Sequence, residues 1–395
     1  MSGTARETHA PGARGPAGTI PLAVPNIGEL EREYVVRAVE SGFVSSVGPF
    51  VAEFEEAFAR RVGARYAVAC SSGTAALHVA FLLLGVGPGD EVLCSDFTFV
   101  GSANPIAYTG ARPVLVDSER ATWNLDPVLV AAELDRRAAA GERQPAAVEV
   151  VHVLGQPADL ATILDACARH GVPVVEDAAE SLGAGWSAGA LAGRQTGVVG
   201  RVGAYSFNGN KIATTGGGGM VVTDDADLAA RARHLTTQAK VPDVGYLHDE
   251  VGYNYRLTNV AAALGLAQLE RLDEFVSRKR AIAARYDEAI TGTGLFAPPR
   301  VDGLDATYWL YSVLVPEDDP RGRDAFLQHL ASHGVGARAL WRPLHDQPPY
   351  AGAVVLGDED VAGDLFRRGV SLPCATELTE DDQERVVAAV LSHWR

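Results

Sequence analysis

The sequence predicts an α/β protein in which a mostly parallel sheet lies between layers of helices and a smaller C-terminal α/β domain follows. Three observations lead there. From Tyr66 onward, short apolar runs, small-residue turns and helical stretches alternate, as they do where strands return parallel through crossover helices. At 395 residues the chain exceeds what one hydrophobic core organises. After Pro298-Pro299 a second, shorter series of strands and helices begins. The expected partition is a tail over 1–19, a large domain over 20–270 and a small domain over 271–395.

In order, the first 19 residues are rich in Gly, Pro, Ala and Arg without an apolar stretch, and read as a disordered tail rather than a secretory signal. Ile20 to Pro25 is an extended start, and Glu29 to Ser41 has apolar positions at helical spacing. The loop Gly42 to Pro49 is too rich in Ser, Gly and Pro for either element and is a candidate binding segment; an acidic amphipathic helix follows from Val51 to Arg61. Strand Ala67 to Cys70 leads through Ser71-Ser72-Gly73-Thr74 into Ala75 to Leu84, apolar on all sides and therefore a buried helix. The alternation continues with strands Glu91 to Cys94, Pro113 to Val116, Val148 to Val153 and Val172 to Glu176. Between them fall helices near Gly101 to Tyr108, Asp126 to Ala139 and Asp159 to Arg169. Helical periodicity holds from Thr258 to Ile290. The small domain reads as strand Tyr308 to Val315, helix Arg323 to His333, strand Ala337 to Trp341 and a last helix Thr379 to His393.

The hydrophobic fraction of 47% and charged fraction of 21% are those of an ordinary globular protein. A net charge of −16, with no basic run longer than three residues, argues against a nucleic-acid surface. No apolar run reaches the ~18–20 residues of a membrane helix. Cys70, Cys94, Cys167 and Cys374 form no CxxC or Cys/His pattern, so no metal site is expected and the thiols read as reduced core residues of a cytoplasmic protein.

Chemistry concentrates at Ser206-Phe207-Asn208-Gly209-Asn210-Lys211, followed by four glycines, Gly216 to Gly219. The chain has 34 basic residues, of which only Lys211, Lys240 and Lys279 are lysines. A lysine amine, unlike arginine, can shed its proton and form a Schiff base with a carbonyl. Lys211 lies in a small-residue connection between two strand-like runs, Val202 to Phe207 and Met220 to Thr223, where a ligand can approach the backbone. Three further stretches complete the requirements of pyridoxal phosphate. Ser72-Gly73-Thr74 opens a helix and offers backbone N–H groups to a phosphate, although such residues also simply cap helices. Asp177 ends a buried strand, where its carboxylate either caps the next helix or meets a protonated ring nitrogen. Asp96-Phe97-Thr98-Phe99 is another strand-end turn, with aromatic rings that stack on a cofactor or join the core.

In this order the strings SSGTAALH (71–78), VVEDAAESLGA (174–184), SFNGNKIATTGGGGM (206–220) and GYNYRLTNVAAALGLAQLE (252–270) resemble the DegT or StrS family of fold-type-I, aspartate aminotransferase-like sugar aminotransferases, over about residues 20–350. VSSVG (44–48), FNGNK (207–211) and LTTQAK (235–240) are most similar to the branch that aminates nucleotide-linked 4-keto-6-deoxy sugars. The resemblance implies that Lys211 binds the cofactor covalently and then serves as base and acid of the proton shift, while Asp177 pairs with the pyridine nitrogen and Glu180 lies near the ring oxygen. It implies phosphate contacts from Gly73, Thr74 and Ser206 beside Asn208, a stacking ring from Phe99, and Asn254 reaching the phosphate of a neighbouring subunit in a homodimer. Ser45, Ser46 and His345 would face the sugar nucleotide, and L-glutamate would be the donor in a ping-pong reaction.

Departures from the family pattern are a longer segment over 185–200, Arg201 in place of an expected aspartate, Leu154 where tyrosine is common, and Cys94-Ser95-Asp96 in place of a proline-containing turn. Competing readings are amination of a keto-cyclitol or other ketone without a nucleotide, and a non-catalytic sensor of the cofactor or sugar nucleotide. A dehydratase would carry histidine at position 211. A nicotinamide enzyme would need G-x-G-x-x-G opening a helix, which the glycine run does not do.

Overall fold

The structure, a computed structural model, describes residues 18–242 and 244–394. The tail expected over 1–19 lies, but for its last two residues, outside them. The strands are β1 (Tyr66–Cys70), β2 (Glu91–Ser95), β3 (Arg112–Val116), β4 (Ala147–Val151), β5 (Val174–Asp177), β6 (Gly185–Trp186), β7 (Val202–Ser206), β8 (Gly219–Thr223), β9 (Leu304–Asp305), β10 (Tyr311–Leu314), β11 (Arg338–Ala339), β12 (Val355–Leu356) and β13 (Gly369–Leu372).

Eight of them form one sheet in the order β1-β8-β7-β5-β4-β2-β3-β12. It is parallel except at β8, which runs antiparallel to both β1 and β7. Both faces are dry. On one, Val92, Cys94, Ala147, Val175 and Ala204 pack under helix Gly73–Leu83, whose apolar surround explains its burial on every side. On the other, Leu93, Val148, Val150 and Val174 meet helices Pro127–Ala140 and Leu160–His170. A separate core of Ile282, Tyr286, Tyr311, Phe326, Val370 and Val386 surrounds the three-stranded sheet β10-β13-β11, and Ile20 joins it through a bridge to Val335.

The helical run expected from Thr258 to Ile290 is two helices, Asn259–Glu270 and Leu272–Ile290. The break falls at Arg271, whose guanidinium bonds Glu31 at 3.0 Å and Glu274 at 3.1 Å. The strand expected from Tyr308 begins only at Tyr311, since Tyr308 sits at φ +50°. Helices Ala226–Thr236 and Val361–Arg368 and strands β12 and β13 add to the elements expected from sequence. β12 is set by tertiary pairing: it lies parallel to β3, Val355 opposite Leu115.

Candidate active site

The carboxyl ends of β1, β4, β5 and β7 and the loop after β2 converge on a cavity of about 320 Å³. A larger open cleft of about 1110 Å³ beside Arg120 and Phe296 offers only arginines already paired, Arg120 and Arg368 with Asp364 and Arg300 with Asp287.

Asp177, 4% exposed, forms the floor. One oxygen accepts from the Ala179 N–H at 3.0 Å, the other from the Ser102 hydroxyl at 2.8 Å, and Ser102 is bonded in turn to Thr98 at 2.8 Å. Burial holds this carboxyl above its usual range; these donors and the Lys211 charge oppose the shift without cancelling it. Lys211 follows β7 in a turn closed by its own N–H on the Asn208 carbonyl at 2.9 Å. Its Nζ stands 3.3 Å from Glu180 Oε1 and 4.0 Å from the Trp309 ring centroid, held between a carboxylate and a π face. Trp309 is itself fixed, donating its indole N–H to Asn210 at 2.7 Å and stacking on Trp341. Burial raises Glu180 too, against the pull of Lys211. Its second oxygen accepts from the Leu154 N–H at 2.9 Å, and Leu154 adopts φ +57°, a left-handed conformation costly for a branched side chain.

At the opposite end, Ser72 caps helix Gly73–Leu83, accepting from Ala75 N–H at 3.0 Å. The N–H groups of Gly73 and Thr74 make no hydrogen bond among the described residues. A Cβ on Gly73 would come within 2.7 Å of Ser206 Cβ, so only glycine lets the strand end approach this closely. Phe99 lines the mouth at 56% exposure, while Phe97 is buried against Trp341. Asn208 lines the cavity and donates to Asn210 Oδ1 at 3.1 Å.

The single chain does not bring every expected residue here. His345 is outside the lining, bonded through Nδ1 to Asp96 at 2.6 Å; burial would lower its pKa, but Asp96 raises it above the usual imidazole value. Asn254 is exposed and bridges Thr237. Ser45 and Ser46 lie in a loop whose Ser45 carbonyl accepts from Asn259 N–H at 2.6 Å, away from the cavity. Conversely, Ser102, Trp309, Trp341 and Arg338 line it and were not singled out by sequence. Arg338 has no ion pair among the described residues. No local motif marks these four; they arrive through the fold.

The departures have local accounts. Arg201 pairs with Asp225 at 2.5 Å, and β7 stays ordered because the buried Glu176 carboxylate accepts the N–H groups of Gly197 (2.7 Å), Val199 (2.6 Å) and Gly200 (2.5 Å) just before it. The long 185–200 segment folds back as β6, paired with β9.

This set fits pyridoxal phosphate: two unpaired helix N–H groups for an anion, a buried carboxyl short of compensating charge for a cationic ring nitrogen, and a lysine amine between them. Fold and site together define a pyridoxal phosphate-dependent aminotransferase with the fold-type-I architecture. The model of the DegT/DnrJ/EryC1/StrS aminotransferase family matches residues 25–391, and the chain belongs to that family. It is 43% identical over 375 residues to EpsN of Bacillus subtilis (strain 168), covering 94% of each chain. It is 39% identical to the GDP-perosamine synthase of Caulobacter vibrioides, covering 94% of this chain and 97% of that one. The structure of the aminotransferase TlmJ from Streptoalloteichus hindustanus matches with a TM-score of 0.84 at 35% identity, covering 94% of this chain and 98% of that one. Among the described residues no helix is long and apolar enough to cross a membrane.

Proposed function

We propose that this aminotransferase moves an amino group from glutamate to the 4-keto group of a nucleotide-linked 4-keto-6-deoxy sugar. The observation that carries the reading is the Lys211 amine, held by Glu180 and Trp309 at the side of a cavity floored by Asp177. When bound, pyridoxal phosphate supplies the carbonyl that receives the donor's amino group and a ring that stores the electron pair. Lys211 is the amine that would hold that carbonyl group and, placed beside the reacting carbons, would serve as the proton-carrying base and acid. Asp177 would pair with the protonated ring nitrogen, Glu180 orients Lys211, and Phe99, at the cavity mouth, would cover the ring. Gly73, Thr74, Ser206 and Asn208, which line that end of the cavity, would hold the phosphate by N–H and hydroxyl donors. Arg338, facing the cavity without an acidic partner, receives the donor's carboxylate or the sugar's diphosphate.

The sugar and nucleotide are supported by relatives named as GDP-perosamine synthases in three organisms at 39%, 36% and 32% identity. A homodimer is supported by the exposed positions of Asn254 and Ser45 and the half-buried Ser46, expected site residues that this chain, as with His345, leaves outside its own cavity. Before Asn254 runs a stretch with Tyr246 92% and Val251 81% exposed, large side chains that a second copy would cover. His345, its positive charge favoured by Asp96, lies outside this cavity and would meet the nucleotide portion of the substrate beyond its mouth.

The test is the visible spectrum of the protein with pyridoxal phosphate, before and after glutamate. The expected result is a lysine-bound absorption band that bleaches with glutamate and does not form in Lys211→Ala; 4-keto sugar nucleotides should then restore it. No band in the wild type would overturn the reading.

A further inference from the structure

Glu149 stands in the middle of β4, 0% exposed, and among the described residues neither of its carboxyl oxygens makes a hydrogen bond of ordinary geometry; the weak Cys94 thiol is the one donor close enough to act on it. Its place in the register is informative. Val151, two residues on and on the same face, lines the cavity and lies opposite Asp177. Glu149 is opposite Val175, so it occupies the side-chain layer directly beneath the Asp177 floor. On the other side the β2–β4 register, Leu93 opposite Val148, brings Cys94 beside it at the next step.

The groups that act on Glu149 are few. From β5 comes the Asp177 carboxylate, and from β2 the Cys94 thiol, itself pushed well above its usual range by burial and by Glu149. From the turn Pro348–Tyr350 comes the Tyr350 hydroxyl, already donating to Asn104 Oδ1 at 2.6 Å. Its strand neighbours Val92, Ala147 and Val175 belong to the apolar core on this face. Among the described residues no cation answers Glu149, whereas Asp177 has Ser102, the Ala179 N–H and Lys211 in reach. Two carboxylates in adjoining dry layers of one sheet face do not both ionise readily, and the proton stays on the one with fewer donors. Burial, and after it the Asp177 charge, hold Glu149 well above the carboxylate range.

We propose that Glu149 is a proton-holding positioning residue behind the active site: it remains a neutral carboxylic acid, so that the single negative charge of the Glu149–Asp177 pair resides on Asp177, where the ring nitrogen binds. This rests on the reading of the cavity as the pyridoxal phosphate pocket. It also explains an acid in a strand whose other residues are Ala and Val. Protonated, it adds no second charge to the floor; ionised, it would compete with Asp177 for every nearby positive group.

The test is the infrared spectrum of the apoprotein at neutral pH. The expected result is a carboxylic-acid carbonyl stretch typical of a C=O with at most a weak thiol hydrogen bond, present in the wild type and lost in Glu149→Gln. In Asp177→Asn, which removes the like charge, the band persists and its titration midpoint falls by about one pH unit or more. In the cofactor-loaded wild type, the visible band gains an alkaline transition that Glu149→Gln lacks. A wild type showing only carboxylate bands, or a midpoint unmoved by Asp177→Asn, would overturn the proposal. If Glu149→Gln does not fold, the wild-type and Asp177→Asn titrations decide it. A protein that takes up no cofactor overturns the pocket assignment instead, and the infrared result still reports whether Glu149 holds its proton.

Discussion

Glu176 and Asp177 are consecutive residues of β5, both removed from solvent, and they point to opposite faces of the sheet. Glu176 is saturated. Burial raises it, but the His152 ring (3.0 Å) and the N–H groups of Gly200 and Gly197 more than compensate, leaving it below the usual carboxylate range. His152 accepts from Ala158 N–H on Nδ1 at 3.1 Å, so its Nε2 carries the proton donated to Glu176. Asp177 has two donors and a nearby lysine, and remains raised. The difference separates a carboxylate used to build from one kept ready for a ligand: the first has its charge fully answered by the fold, the second awaits a cation.

The strongest test of that contrast removes the reacting amine. Lys211→Ala should lower the glutamate half-reaction by about 10³-fold or more, read from the decay of the bound cofactor's absorbance. Asp177→Asn should lower the same rate by about 10²-fold while raising the apoprotein's melting temperature. The sign follows from its raised folded pKa: an acid held above its unfolded value costs stability once pH exceeds the unfolded value of ~3.9, and the amide does not.

Glu176→Gln should do the reverse, costing roughly 3 kcal/mol in denaturant titration with little change in rate per folded molecule. Its lowered folded pKa gives the pH signature. The stabilisation is complete above the unfolded value of ~4.3 and is lost as pH falls through the folded one, so the wild type should lose stability in acid where the variant has none left to lose. Ser102→Ala should have the smallest effect, about tenfold on the half-reaction, by removing one donor from Asp177. If Glu176→Gln proved harmless to stability, or Asp177→Asn destabilised the apoprotein, the division between the two faces would fail.

Much of this was legible in sequence because the cavity-lining residues in question are local: Gly73, Asp177 and Lys211 each sit at a strand end that short apolar runs announce. Trp309, Trp341 and Arg338 were not, because each reaches the cavity from the smaller sheet's surroundings, hundreds of residues from Gly73. Glu149 read simply as part of a strand; its isolation depends on which strands flank β4, and periodicity does not give strand order. Arg271 divides a helical run through contacts with Glu31 across 240 positions, again invisible to a local window.

The placement of β12 carries a consequence for handling the molecule. The chain leaves the small sheet at β11, contributes the outermost strand of the large one, and returns for β13. A fragment ending at residue 270 would therefore present β3 as a bare edge, its backbone donors and acceptors open to any passing strand. Such a fragment should aggregate on expression rather than behave as a free-standing module.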